Sequence, residues 1–194
     1  TCRSISTKKQ AVYMFDILFK KKISESKLAD YFVNSLIHLV DSSFEDVAAI
    51  INNDPSFVQH PQIAAENSDE FLMIVIAGNL QFIPNHFNDY QDIRITDQVI
   101  RKFAQVLELS LPEMKELIHQ YQSYFKRINH PSKNTHYAMS KAVFFKYNLN
   151  EYQEEYFKHM QTPNPMFLKR LDDLMANFIW QWDDILHKFK VIEG

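Results

Sequence analysis

Only two of the 194 residues are glycine, Gly78 and the terminal Gly194. Glycine lets backbone turn through left-handed conformations and approach a ligand closely. P-loops, dinucleotide fingerprints and nucleophile elbows each need several glycines, so all three are excluded. Apolar residues instead recur at i, i+3, i+4 and i+7 along most of the chain, with few alternating β-branched stretches, which predicts helices throughout. The 16 Phe and 9 Tyr need one continuous core to pack in. A chain of this length can bury roughly 70 % of the surface its unfolded form exposes, so such a core is attainable without disulfides. The expected fold is all-α: a single domain over 1–194, a bundle of about eight helices around a buried central helix.

The first helix is expected over 7–21, with Ala11, Met14, Phe15, Leu18 and Phe19 on one stripe, ending in Lys20, Lys21 and Lys22, where positive charge suits a helix C-terminus. Ser24 opens a second helix, flanked by Ile23 and Leu28 as a hydrophobic staple. A third begins near Ser43 and ends before the Asn52-Asn53-Asp54-Pro55 stretch. The segment 62–82 contains Phe71 to Ala77, apolar on every side, and is expected to be the central helix over about 71–83. A buried strand is the competing assignment, but no second β-rich run exists to satisfy its backbone. Pro84 to Ile93 is expected to be irregular and is the candidate hinge. Further helices are expected at 96–109, 111–129, 132–147, 150–161 and 165–190. Ser110 and Glu113 form a capping box for one of them, and Asn164 followed by Pro165 opens the last. That last helix carries a continuous stripe from Leu171 to Phe189.

The single Cys2 cannot form an internal disulfide or a CxxC metal site, which fits a reducing, cytoplasmic setting, although Thr1 is not a start methionine. The longest apolar run has seven residues, against about 20 for a spanning helix, so no membrane span is expected.

Charge is distributed unevenly. Net charge is +4 over residues 1–30, −9 over 31–120 and +2 over 121–194. No Asp or Glu stands between Glu116 and Glu151, while Lys126, Arg127, Lys133, Lys141 and Lys146 do, with His130 and His136 among them and aromatics interleaved. Cations alternating with rings can hold single-stranded nucleic acid. At helical spacing Tyr121, Phe125, Phe144 and Tyr147 are also core residues, which leaves a mildly basic surface for an acidic protein or for the acidic middle of this chain.

Glu116-x-x-His119 and Asp184-x-x-His187 have the spacing of carboxylate-bridged metal bundles. Both pairs project away from the apolar stripes of their helices, so no metal is expected. No cofactor motif occurs and no catalytic residue is assigned. The adjacent pairs Asp69/Glu70, Asp172/Asp173 and Asp183/Asp184 diverge on a helix and cannot converge on one substrate atom. Residues Phe103 to Met114, with Ala-x-x-Leu-x-Leu-Ser, resemble the turn of repressor-type helix-turn-helix domains over about 20 residues. Glu108 stands where such turns have Gly, and the following helix offers Glu113 and Glu116 to phosphate with only Lys115 against them. Trp180 and Trp182 lie about 200° apart on a helix, which exposes Trp180 and makes it an interface candidate.

The expected function is therefore a non-catalytic protein-interaction or adaptor module, partnered by another protein or by a second copy of the chain. Its candidate surface comprises Lys126, Arg127, His130, Lys133, His136, Lys141, Lys146 and Trp180. The alternative is a nucleic-acid-binding protein using the basic and aromatic interval 117–150 or the helix-turn-helix-like element at 103–118.

Overall fold

A computed structural model describes residues 20–88 and 90–194. The helix expected over 7–21 and Cys2 lie outside the described residues, apart from Lys20 and Lys21. Lys21 opens a short strand, β1 (Lys21–Ser24), that pairs in parallel with β2 (Phe189–Ile192). The Ser26 N–H donates to the Gly194 carbonyl at 3.2 Å, which fastens the last residues to the next helix.

That helix, α1, spans Glu25–Asn52, and its cap is Ser24, whose hydroxyl accepts from the Lys27 N–H. It absorbs both the second and the third expected helices. Leu36, Val40, Phe44 and Val47 continue one buried stripe across the expected gap, and the Ser42 hydroxyl donates back to the Leu39 carbonyl instead of capping a new start. After α1, the Asn52 side chain holds the backbone of Ile63 through two bonds of 2.9 Å. Residues 62–68 are thereby kept out of helix, and α2 runs only over Asp69–Leu80.

As its sequence predicts, α2 is the central helix, with Phe71 and every residue from Met73 to Leu80 buried. A Cβ on Gly78 would lie 2.3 Å from the Met139 sulfur, so this glycine sets how closely its helix approaches α5 (Thr135–Lys146). Ile83–Asn85 forms a 3-10 turn, and α3 (Gln91–Val106) starts earlier than expected because the Asn88 side chain accepts from the Gln91 N–H at 3.0 Å. The irregular stretch is correspondingly shorter than 84–93.

Helix α4 (Leu111–Asn129) begins at the predicted capping box, with both bonds between Ser110 and Glu113 formed. Helix α5 starts three residues after the expected 132, capped by Asn134. The expected helix 150–161 is a 3-10 turn (Leu149–Tyr152) followed by α6 (Glu155–Met160). The buried Gln153 side chain separates them, binding Asn150, Thr162 and Asn164.

The expected helix 165–190 is not continuous. Helix α7 (Pro165–Met175) passes into a 3-10 turn (Ala176–Phe178), extended backbone follows, and α8 spans only Trp182–Lys188. The cause lies on α2: the fully buried Asn79 donates to the Phe178 carbonyl at 2.8 Å and accepts from the Trp180 N–H at 2.7 Å. These two bonds satisfy backbone that leaves the helical pattern. The break turns both indoles inward. Trp182 stacks on Phe32 at 5.1 Å, while Trp180 meets the edges of Phe32 and Tyr31 at 5.4 and 5.5 Å. Trp180 is half-buried rather than exposed as expected.

Two carboxylates pin the bundle from inside. Glu25 receives two bonds from Arg94, and Asp54 receives two from Arg170 and one from the Ser56 N–H, while the Ser56 hydroxyl accepts from the same guanidinium. The Arg94 bonds hold the Glu25 carboxyl below its ordinary value. Burial alone raises Asp54, but the Arg170 and Ser56 bonds outweigh it and leave that carboxyl low as well.

Candidate functional site

The acid-free interval splits in space because Lys126 and Arg127 are neighbours on α4 and diverge by about 100°. Lys126, His130 and Lys133 border a cleft of about 830 Å³ formed by α2, α3, α4 and α5. Arg127 and Lys146 belong to another face. His136 and Lys141 are engaged internally: a His136 ring nitrogen lies 2.8 Å from the Asp172 carbonyl, and Lys141 donates to the Ile128 carbonyl and lies over the Tyr137 ring. The expected surface is therefore not one patch.

The cleft follows from helix periodicity. The inward stripe of α4 supplies Ile118 and Phe125, the end of α2 supplies Leu80, and Ala138 of α5 completes a buried apolar floor with the half-buried Ile100 of α3. Polar bonds fix the walls. The Gln122 amide donates to the Ala77 carbonyl at 3.2 Å, and the Thr135 hydroxyl donates to Gln81 at 2.8 Å, so α4 and α5 are both tied to the end of α2. At the edge, Lys126, His130 and Lys133 are exposed. The ion pairs among the described residues use other cations, and no carboxylate lines the cleft.

Asn129 stands in the cleft wall, almost fully buried. Its amide nitrogen donates to the Asn134 carbonyl at 2.9 Å and lies 3.5 Å from that of Ser132. Because both neighbours are acceptors, the amide cannot be reversed, and its oxygen has no donor among the described residues. Sequence reading missed this residue, together with the floor. An Asn one turn beyond Phe125 on the apolar stripe of α4 is the only local signal.

On the second face Lys146 is compensated. Lys146 Nζ lies 2.9 Å from Glu70 and 4.5 Å from the Tyr121 ring centroid. The Tyr121 hydroxyl donates to the same carboxylate, and Arg127 lies over Tyr124 at 5.1 Å. Burial, reinforced by Glu70, raises the Tyr121 hydroxyl well above its ordinary range, so it stays a donor. The Tyr147 hydroxyl, raised chiefly by burial, accepts from the Phe71 N–H and donates to the Asn67 carbonyl.

At the helix-turn-helix-like corner, Glu108 adopts a left-handed φ of 55°, the conformation a glycine would supply there. The following helix nevertheless exposes Glu113 and Glu116, while Lys115 is paired with Asp97 at 3.2 Å. Glu116, His119, Asp184 and His187 are all exposed, and no group of three or more His, Cys, Asp or Glu among the described residues is placed to hold a metal ion. No helix among the described residues is long and apolar enough to cross a membrane.

No protein-family model, curated protein or solved structure matches the chain. The cleft has to be interpreted from its own chemistry.

Proposed function

We propose that this chain is a non-catalytic protein-interaction module and that the cleft between α2, α3, α4 and α5 is its recognition surface. The observation that carries this reading is a preformed apolar floor bordered by exposed side chains with unused binding capacity. Recognition sites commonly combine apolar area, which supplies affinity, with a few polar groups that orient the partner. A nucleic-acid reading draws less support from the geometry. Cations that follow a phosphate backbone need a shared groove, whereas here Lys146 is paired with Glu70 and Lys141 is bonded to backbone.

A random peptide library displayed on phage tests the proposal when panned on the wild type and on Thr96→Trp, which places a large ring in the cleft at a half-buried position. Enriched peptides should bind the wild type and weaken by about tenfold or more on Thr96→Trp, the equivalent of about 1.4 kcal/mol. No enrichment, or binding indifferent to Thr96→Trp in a protein with unchanged circular dichroism, would remove the cleft from function. Submicromolar binding of single- or double-stranded oligonucleotides, lost on changing Lys126 and Arg127 to Glu, would favour the nucleic-acid alternative.

A further inference from the structure

We infer that the partner segment seated in this cleft is an acidic amphipathic helix, with large apolar side chains on the floor and Asp or Glu facing Lys126, His130 and Lys133. The inference rests on the interaction reading above and specifies the chemistry of the partner.

Charge complementarity is the first support. Arg94, Arg101, Lys102, Lys115, Lys146, Lys158 and Arg170 meet carboxylates within the described chain, whereas Lys126 and Lys133, like Lys27, Arg127, Lys169 and several other cations, meet none, and these two differ in standing at the edge of the cleft. The unpaired lysines stand beside the apolar floor, where a docked partner excludes water and lowers the local dielectric. An ion pair formed there gains more than it would on an open surface.

The end of α5 adds to the same field. Asn134 and Thr135 line the cleft, and the first turn of α5 has no acidic side chain. A helix N-terminus carries partial positive charge and favours an anion. The side chain of Asn129 is the second support. Its oxygen is sealed within the wall with no donor among the described residues, so a partner's N–H or O–H completes it only where the wall opens on docking.

Size and spacing select a helix over a lone anion. A cleft of about 830 Å³ with an apolar floor is far larger than a carboxylate or phosphate needs, and it suits side chains projecting from a helix laid between helices. Lys126 on α4 and His130, the residue that caps its end, are four residues apart, hence about 6 Å along the axis, which is also the spacing of carboxylates at i and i+4 on a partner helix.

Three fluorescein-labelled peptides of about 16 residues, roughly four helical turns, provide the test by anisotropy. They share one stripe of Leu and Phe and carry Glu, Gln or Lys at the flanking positions. On the wild type at low salt, the Glu peptide should bind about tenfold tighter than the Gln peptide, and the Lys peptide weakest. The advantage should shrink as salt rises past about 0.15 M, where charges beyond about 8 Å are screened. Lys126→Glu with Lys133→Glu, both at exposed positions, should invert the order, and Thr96→Trp should weaken all three. Equal binding of the Glu and Gln peptides, or preference for the Lys peptide, overturns the inference, while loss on Thr96→Trp would still uphold the interaction reading. Failure of all three peptides also overturns it, and the phage panning then decides the interaction reading independently. Laurate, an anion with an apolar chain and no N–H, is the control. If it binds the wild type more tightly than the Glu peptide does, the cleft belongs to free amphiphiles and the peptide assignment is overturned.

Discussion

Lys146 and Lys126 come from the same acid-free stretch of sequence, yet they sit in opposite electrostatic settings. Lys146 is half-buried, paired with Glu70 and stacked over Tyr121. Lys126 is exposed, unpaired among the described residues and placed at the edge of an apolar cleft. The difference arises because α2 presents Glu70, near its start, to Lys146 and the apolar Leu80, at its end, to the cleft. A charge run in sequence is therefore not a charged surface. Which cations remain free is decided by residues far away along the chain.

The contrast can be calibrated at its compensated extreme. Asp54→Ala should cost about 3 kcal/mol in urea unfolding, because it strands Arg170 beside a buried site, at the low end for a broken buried pair since Arg170 is partly exposed. The sign with pH is fixed by the direction of the shifts. Asp54 and Glu25 both have lowered values, so the stability they contribute is complete above the ordinary carboxylate range near pH 4 and is lost as pH falls through the lowered values. Acid unfolding followed by circular dichroism should show a shallower pH dependence in Asp54→Ala than in the wild type.

A smaller effect is expected at the other paired cation. Lys146→Glu removes the pair with Glu70 and places like charge beside it, for a loss of about 1–2 kcal/mol. Adding Glu70→Lys should restore part of this loss, and the double-mutant cycle measures how much. The smallest effect should appear at the cleft. Lys126→Glu and Lys133→Glu together should change stability by no more than about 0.5 kcal/mol, since neither lysine has a carboxylate partner among the described residues. A loss comparable to that of Lys146→Glu would mean that the cleft cations serve the fold, and the contrast between the two faces would collapse.

Local features of the chain were legible where the determinants are themselves local. Ser24, the Ser110–Glu113 box and Asn164–Pro165 announced helix starts, and the run from Phe71 to Ala77 announced the central helix. The failures share a physical cause. Ser43 looks like a helix start until the buried stripe on either side continues α1 through it. The break after Phe178 is imposed by Asn79, about a hundred residues earlier, and the same break turns Trp180 inward. At the candidate site, sequence supplied Lys126, His130 and Lys133 but mixed them with cations of other faces. The floor was illegible because Leu80, Ile100, Phe125 and Ala138 come from four helices, each looking like ordinary core.

The central claim is that the cleft side of the α4–α5 pair, rather than the Lys146 side, is the recognition surface. Titration of the ¹⁵N-labelled protein with the Glu peptide, followed by amide chemical shifts, tests this most directly. The account predicts saturable shifts concentrated at Gln81, Thr96, Gln122, Asn129 and Thr135, with His119, Tyr124 and Lys146 unmoved. Shifts centred on Tyr124, Arg127 and Lys146, with the cleft amides unchanged, would contradict it.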